Sequence, residues 1–360
     1  MIGRYTADVT IVGGGILGLL SALELVKRGR SVTIVDDSQR RPASWAGGGI
    51  LSPLYAWRYS EAMNSLCRDA VSSYREILSS LKQQGLITEG ILNLSGMWVA
   101  TVEPEEKRSA LDWAAAHDVD AYACNADSVM ASGCADEGVF FPYLGSIRNP
   151  RLLRQLTSFL QHSGVEFISD RVISVHPQKQ GGRLLLGSDR EVLSEVILLC
   201  AGAWNDVLLR QLGIPATPFF PAKGEMLLYQ LEQGVVPSIM LTEDGYLIPR
   251  GDGAVLVGST LRRGDGSDYP TVNGRYRLEA LASRLLPQLA NKKPDFHWAG
   301  VRPGCERDYP WVGAIPGYEG WFAAAGCYRN GLVAGPACAR LLAQLVCTEE
   351  TELDSSTYAF

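Results

Sequence analysis

"VTIVGGGILGLLSALELVKRGRSVTIVDD", residues 9–37, decides the fold of this chain. Two apolar, β-branched runs flank a cluster of glycines and an amphipathic run. The apolar runs do not alternate strictly with polar residues, which is typical of buried parallel strands. Between them, apolar residues recur at helical spacing at Leu19, Leu20, Leu23 and Val26. The order predicts a strand–helix–strand unit whose helix ends at Gly29.

The glycines of this unit have the spacing of a phosphate-binding turn. Gly13 permits the tight turn, Gly15 lets the backbone approach a pyrophosphate, and Gly18 lets helix and strand pack closely. The helix N-terminus offers free N–H groups to phosphates. Asp36, at the end of the second strand, can accept hydrogen bonds from the two ribose hydroxyls. The motif predicts binding of an ADP-containing dinucleotide and does not distinguish NAD from FAD.

The composition is that of an ordinary globular protein. The 360 residues are 46% hydrophobic and 20% charged, enough for one large domain or two smaller ones. A net charge of −6 with scattered basic pairs argues against nucleic-acid binding. The eight cysteines form no Cys-x-x-Cys pair and there are four histidines, so we expect no metal site and reduced thiols.

The hydrophobic runs predict a cytoplasmic protein. The apolar run at residues 9–23 lacks the basic start and the small-residue cleavage pattern of a signal peptide. No other run approaches the roughly 20 apolar residues of a membrane-spanning helix.

A second glycine cluster follows the opening unit, in "RRPASWAGGGILSPL" at residues 40–54. An NAD-binding domain normally continues directly into further strand–helix units, whereas this segment suits a bulky ring that lies against the backbone. A simple flexible loop is the alternative. Further along, composition and periodicity change near residues 86, 142, 216 and 300.

Six motifs stand in the order of one known family. They are the Gly13 motif with Asp36, "SWAGGGIL" (44–51), "LLCAGAW" (198–204), "DGYLIPR" (244–250), "AGVRPGCERDYPWVG" (299–313) and "AGCYRNGL" (325–332). With them the chain resembles, over its full length, the D-amino acid oxidase superfamily of FAD enzymes. Within it, the sequence is most similar to the glycine oxidases linked to thiamine biosynthesis.

The resemblance implies an α/β fold with two domains. A Rossmann-like FAD-binding domain would comprise residues 1–85, 142–215 and 300–360. An inserted substrate domain with an α+β mixed sheet would comprise residues 86–141 and 216–299.

The resemblance also implies the contacts of a non-covalent FAD. The expected cofactor-binding residues are Gly13, Gly14, Gly15, Ile16, Gly18, Asp36, Asp37, Ser44, Ala46, Gly47, Gly48, Gly49, Val172, Ala201, Gly202, Trp204, Arg302, Cys327, Tyr328, Arg329, Asn330, Gly331 and Leu332. Some relatives bind flavin covalently through a cysteine. The matching position here falls near Val301, and Cys305 lies beyond it.

The last motif suits a flavin on physical grounds as well. A helix predicted to begin near Leu332, with Pro336 in its first turn, would meet the pyrimidine edge of the ring. Negative charge develops there on reduction, and a helix N-terminus stabilises it. Gly326 and Gly331 leave room for the ring. An ordinary helix entry is the alternative.

Three residues are the expected catalytic and substrate-binding groups. Arg302 can grip a carboxylate through two parallel hydrogen bonds. Tyr246 matches the family tyrosine that adds a hydroxyl to that carboxylate, and Arg329 a second arginine near the entrance. The alternatives are an ion pair of Arg302 with an acid such as Asp308, a core role for Tyr246 and a surface ion pair for Arg329.

Two further positions bear on substrate binding. Leu261 aligns with an apolar substrate-pocket position where relatives often carry methionine, which bears on side-chain tolerance. Asp244 could touch the substrate amine, but an aspartate before a glycine is more typical of a turn.

The implied reaction is oxidative deamination of glycine and other small amines or D-amino acids. The α-hydrogen leaves as hydride to flavin N5, and the imine hydrolyses to a 2-oxo acid and ammonia or an amine. Oxygen would be the acceptor and would give hydrogen peroxide. The resemblance also implies that the enzyme has a role in forming the thiazole of thiamine. A dehydrogenase using a quinone, and a flavin module that modifies a macromolecule, are the alternatives. We also expect a homo-oligomer, a dimer or a tetramer.

Overall fold

The structure, a computed structural model, describes residues 4–37, 39–101, 103–128, 137–214 and 218–360. The strand–helix–strand unit predicted at the start of the chain is present. Strand β1 (Arg4–Val12) and strand β2 (Val32–Asp36) lie parallel and adjacent, and helix α1 (Ile16–Lys27) connects them. All but the last residue of β2 is buried, as expected for a central parallel strand.

The first sheet is built around these two strands and has eight strands within the described residues. Its main path is β18 (Trp311–Ala314), β19 (Trp321–Ala325), β11 (Glu191–Leu199), β1, β2 and β8 (Glu166–Ser169). Two more strands extend it beside β11, namely β9 (Val172–Pro177) and β10 (Gly182–Leu186). The carboxyl ends of β1, β2 and β11 lie at one edge, where parallel sheets bind ligands.

The second sheet has nine strands within the described residues. They are β4 (Met97–Ala100), β5 (Tyr122–Asn125), β6 (Glu137–Phe141), β12 (Phe219–Gln230), β13 (Ile239–Thr242), β14 (Gly245–Pro249), β15 (Ala254–Gly258), β16 (Arg262–Arg263) and β17 (Phe296–Cys305). A two-stranded ribbon of β3 (Leu92–Asn93) and β7 (Ser146–Ile147) is separate. Strand β17 crosses the expected domain limit at residue 300, because it pairs with β12 up to Cys305.

Helices pack on the sheets and link them. After α1 they are α2 (Ala43–Ala46), α3 (Glu61–Cys67), α4 (Ala70–Gln83), α5 (Pro104–Ala116), α6 (Asn149–His162), α7 (Asn205–Gln211), α8 (Val272–Leu285), α9 (Gly335–Val346) and α10 (Ser355–Tyr358). Helices α1, α4, α6 and α9 contribute buried apolar residues to one core cluster. No helix in the described ranges has the length and apolarity to cross a membrane.

The last long helix begins later than its sequence predicts. We predicted a start near Leu332, whereas α9 begins at Gly335 and has Pro336 in its first turn. Residues 331–334 form a turn in which the Ala334 N–H donates to the Asn330 carbonyl oxygen. The segment predicted as the helix start is therefore this turn, and the helix itself follows it.

Candidate active site

A cavity of about 440 Å³ lies where the two sheets meet. The carboxyl ends of three parallel strands line it from the first sheet, at Val12, Val35 and Cys200. Tyr246 and Arg302 line it from the second sheet. The dinucleotide turn, Tyr246 and Arg302 therefore share one cavity.

The first glycine turn has the geometry of a phosphate-binding turn. Gly13 has φ +111°, and a side chain there would also overlap the Cys200 carbonyl. Gly15 is the N-cap of α1, and the Oγ of Ser44 accepts the N–H of Ile16 at 3.1 Å. Gly18 packs against the Gly13 carbonyl and does not line the cavity. Its role is the close helix–strand packing inferred from the spacing.

Asp36 lies at the end of β2, as predicted, and faces the cavity. Its Oδ1 accepts the N–H of Gly14 at 2.6 Å, and within the described residues Oδ2 has no hydrogen-bond donor. Burial raises the pKa of this carboxyl above its ordinary value, the Gly14 N–H lowers the pKa, and the charge of Asp37 raises it. One carboxylate oxygen is thus available for a ribose hydroxyl.

The second glycine cluster is fixed by hydrogen bonds from three directions. The carbonyl of Gly47 accepts from Asn149 Nδ2 at 2.8 Å, and that of Gly48 from Arg250 Nη2 at 2.8 Å. The indole of Trp298 on β17 donates to the carbonyl of Ala46 at 3.0 Å. These bonds place the glycine backbone along the cavity and do not fit the alternative of a simple flexible loop.

Sequence reasoning did not identify Arg250, which is buried beside this cluster. It also donates to the Ile147 carbonyl at 2.8 Å and to Ser146 Oγ at 3.1 Å. Burial lowers the pKa of this guanidinium to about 9, and the nearby charge of Arg148 acts in the same direction. Its one sequence signal was a lone arginine at the end of the apolar strand "GYLIP".

Arg302 projects from β17 into the cavity and is half-buried. Burial lowers the pKa of its guanidinium, the nearby phenol of Tyr246 raises the pKa, and the charge of Arg329 lowers it. No ion pair within the described residues includes Arg302. Asp308, the alternative partner, instead accepts from the N–H of Ser60 at 2.6 Å and from its hydroxyl at 3.1 Å. A half-buried cation that has no counter-ion among the described residues is suited to an anionic ligand.

Tyr246 is buried beside Arg302 and is held on several sides. Its hydroxyl lies 3.8 Å from the Sδ of Met226. A Cβ at Gly258 would lie 2.7 Å from its ring, and one at Gly48 would lie 3.3 Å from it. Because Gly258 and Gly48 have no side chains, they leave space for the ring of Tyr246.

The two other expected substrate-side residues, and Asp244, have different locations. Arg329 lines the cavity, is exposed and lies 5.3 Å from the ring centre of Tyr328. Leu261 is 40% exposed and does not line the cavity. Asp244 forms an ion pair with Arg284 at 2.7 Å on the surface, which agrees with the interpretation as a turn residue.

The turn before α9 closes one side of the cavity. Tyr328 has a left-handed backbone with φ +46°, and its N–H donates to the Pro303 carbonyl at 2.8 Å. The buried hydroxyl of Tyr74 on α4 donates to the Leu332 carbonyl at 2.8 Å. These bonds attach the turn both to β17 and to the helical layer.

Most of the expected cofactor-binding residues lie around this single cavity. Those that line it are Gly13, Gly15, Ile16, Asp36, Asp37, Ser44, Gly47, Gly48, Gly49, Val172, Ala201, Gly202, Trp204, Arg302, Cys327, Tyr328, Arg329, Asn330, Gly331 and Leu332. Gly14, Gly18 and Ala46 lie behind the lining.

Several residues that line the cavity were not identified from the sequence. They include Arg40, Arg41, Pro42, Ser52, Leu54, Asp170, Arg171 and Ser259. The Cζ of Arg40 lies 5.1 Å from the ring centre of Trp204, and the Cζ of Arg41 lies 4.0 Å from the ring centre of Trp45. The basic pair was visible in the sequence, but nothing there placed it beside tryptophans.

The residues fit a long dinucleotide with a planar ring system. The positive-φ Gly13 turn and the start of α1 suit a pyrophosphate, and the free oxygen of Asp36 suits a ribose. The hydrogen-bonded backbone of residues 47–49 and the turn of residues 327–332 suit a flat ring between them. In the described part of the chain, no three His, Cys, Asp or Glu side chains are grouped so that they could hold a metal ion.

Comparisons with known proteins agree with this geometry. Residues 8–345 match the family model "DAO: FAD dependent oxidoreductase". The chain is 36% identical to a glycine oxidase of Pseudomonas aeruginosa over 98% of each protein. It is 28% identical to a bifunctional ThiO/ThiG protein of a Nostoc species, over 96% of this chain and 54% of that protein.

The solved structure of glycine oxidase from Geobacillus kaustophilus has the same fold. Its TM-score is 0.90 at 23% identity, over 99% of this chain and 98% of that chain. The predicted fold class and the predicted FAD cofactor are thereby confirmed. The chain belongs to the family of FAD-dependent oxidoreductases named DAO.

Proposed function

We propose that this enzyme oxidises glycine and other small amines or D-amino acids. The observation that carries the proposal is the half-buried Arg302, which lies beside Tyr246 in the cavity and has no ion-pair partner among the residues that the structure describes. The carboxylate of a small amino acid supplies the missing charge. The similarity to glycine oxidases of two Pseudomonas species supports glycine as a substrate.

The side chains of this site bind and orient the substrate. Arg302 grips the carboxylate through two N–H groups, and the hydroxyl of Tyr246 donates a further hydrogen bond to it. This three-point grip fixes the direction in which the α C–H bond points. Bound FAD supplies the acceptor for the hydride that leaves the α-carbon. Arg329, an exposed residue of the cavity lining, attracts the carboxylate of the substrate toward the entrance.

The amine must be neutral for this reaction, since its lone pair assists loss of the hydride. Within the described lining, no histidine is present to take up a proton. We propose that the amine loses its proton to water before or during binding.

Molecular oxygen is the proposed electron acceptor. The overall reaction converts an amino acid, oxygen and water into a 2-oxo acid, ammonia or an amine, and hydrogen peroxide. The similarity to oxidases supports oxygen over a quinone. The ThiO/ThiG relative supports a role in thiazole formation for thiamine.

The remaining proposals concern organisation. The FAD-binding domain comprises residues 1–85, 142–215 and the chain after β17. The substrate domain comprises residues 86–141 and 216–299 together with β17, because the second sheet contains the strands of both segments. We propose a cytoplasmic homo-oligomer, a dimer or a tetramer.

Anaerobic titration of the purified protein tests the proposed reaction. Glycine, sarcosine and D-alanine are added in turn, and loss of the flavin absorbance near its visible maximum is recorded. Bleaching by at least one of them is expected, followed by peroxide release on admission of air. A flavin that none of them reduces contradicts the proposed substrates. Reduction without peroxide under air points to a dehydrogenase.

A further inference from the structure

The segment that follows β15 holds the guanidinium of Arg302 from one side. Nη2 of Arg302 donates to the Oγ of Ser259 at 2.8 Å, and Nη1 lies 3.4 Å from the carbonyl oxygen of Thr260. Ser259 lines the cavity together with Arg302 and Tyr246. The Ser259 hydroxyl is thus a side-chain acceptor for Arg302, and the phenol of Tyr246 lies close to the same guanidinium.

This segment is itself fixed to the sheet. The N–H of Thr260 donates to the carbonyl of Glu225 at 3.2 Å, and the N–H of Glu225 donates to Thr260 Oγ1 at 2.9 Å. Thr260 and Glu225 are both buried. Arg302 is held in the same sheet, because its backbone on β17 pairs with Ala222 of β12. Ser259 and Arg302 thus extend from a shared, hydrogen-bonded framework.

We propose that Ser259 is a positioning residue that holds the guanidinium of Arg302 in the orientation needed for a carboxylate. An arginine side chain has several rotatable bonds, and a two-point grip requires one plane of the guanidinium. The hydrogen bond to Ser259 engages one of the five N–H groups of the guanidinium, so others remain for a carboxylate. Because it concerns carboxylate binding, the proposal rests on the proposed function.

The test compares Ser259→Ala and Ser259→Thr, with Ser283→Ala as the matched control. Ser283 lies on α8, and its hydroxyl donates to the backbone of Glu279. Holoenzyme is titrated with acetate by calorimetry, and KM and kcat for glycine are measured. Loss of one hydrogen bond to a charged group should weaken acetate binding and raise the glycine KM by roughly tenfold in Ser259→Ala. Ser259→Thr keeps the hydroxyl and should stay within about twofold.

A double-mutant comparison separates positioning from a general structural effect. In the Arg302→Lys background, Ser259→Ala should change acetate binding by less than about twofold, because its partner is already lost. FAD content and the flavin spectrum should match the wild type in each Ser259 variant. A full tenfold loss that persists in the lysine background contradicts the proposal. So does unchanged acetate binding in Ser259→Ala.

Failure of the proposed reaction and failure of the positioning role of Ser259 give different results. If no amino acid reduces the flavin but acetate binding still depends on Ser259, the proposed reaction fails and the positioning role stands. If glycine is oxidised and Ser259→Ala behaves like Ser283→Ala, the reaction stands and the positioning role fails. Absence of acetate binding in the wild type contradicts both the carboxylate grip and the role of Ser259.

Discussion

The guanidinium of Arg302 lies directly across the Cα of Gly224. A Cβ at position 224 would overlap both terminal nitrogens and the Cζ of Arg302. Gly224 lies on β12 and pairs with Gly300 of β17, two residues before the arginine. It does not have a positive φ, so no backbone requirement explains the glycine. The space that the Arg302 side chain occupies explains why position 224 is a glycine.

Gly224→Ala should therefore displace Arg302 while leaving FAD binding intact. We expect kcat/KM for glycine to fall by about tenfold or more, equivalent to about 1.4 kcal/mol. Steady-state kinetics on FAD-saturated protein measure the loss. Gly266→Ala is the matched control, because a Cβ there meets the Pro221 side chain at an ordinary 3.7 Å. Normal kinetics in Gly224→Ala would show that the guanidinium can bind carboxylate from another position.

Replacement of Arg302 itself tests the carboxylate grip. Lysine keeps the charge but loses the planar two-point contact, so Arg302→Lys should raise KM for glycine strongly. Arg302→Ala should lose roughly 3 kcal/mol or more in kcat/KM, because the substrate carboxylate has no cation there. FAD content should stay near that of the wild type. A normal KM in Arg302→Ala would transfer the carboxylate site to Arg329.

Asp36→Ala should weaken FAD binding far more than it changes turnover. Oδ2 of Asp36, which accepts no hydrogen bond from the residues that the structure describes, is the proposed acceptor for ribose hydroxyls. Its loss should cost on the order of 2–4 kcal/mol in FAD affinity. Equilibrium titration of apoprotein with FAD measures this cost. If saturating FAD does not restore most of the turnover, Asp36 has another role.

The same carboxyl gives FAD binding a pH dependence. Burial raises the pKa of Asp36, so on acidification it takes up a proton at a higher pH than the usual aspartate value of about 3.9. The protonated form is a weaker acceptor, and FAD affinity should fall as the pH is lowered through that pKa. Asp36→Asn should bind FAD weakly without this acid dependence. An equally steep fall in Asp36→Asn would assign the titration to another group.

FAD should be released by acid precipitation as a yellow supernatant, because we predict that no covalent bond holds it. Of the cavity cysteines, Cys200 lies at the end of β11, and burial raises the pKa of its thiol to about 12. A thiol of that pKa supplies almost no thiolate at neutral pH. The position expected for a covalent cysteine is near Val301, which also lines the cavity. Yellow colour that stays in the denatured pellet would contradict the prediction.

The sequence predicts the parts of the site that local motifs determine. The Gly13 turn and Asp36 follow from a strand–helix–strand pattern within one short stretch. Ser259 and Gly224 do not, because they meet Arg302 only through the register of β12 with β15 and β17. Leu261 shows the converse, since alignment with a pocket position does not fix the side to which the chain turns after Thr260.

Arg250→Met should lower both stability and FAD affinity, although it removes a buried charge. The guanidinium donates to the carbonyls of Ile147 and Gly48, and methionine leaves both acceptors without a donor. The buried carbonyl of Ile147, left unpaired, costs about 1–3 kcal/mol, and the half-buried carbonyl of Gly48 loses its donor as well. Together these losses should exceed the gain from removing the charge. Because Gly48 lines the cavity, its loop should loosen and FAD should bind more weakly.

Thermal unfolding of apoprotein and FAD titration measure the two effects. Arg148→Ala is the control, since its ion pair with Asp252 is partly exposed and contributes at most about 1 kcal/mol. An Arg250→Met protein with wild-type FAD affinity would show that the glycine segment keeps its path without this arginine.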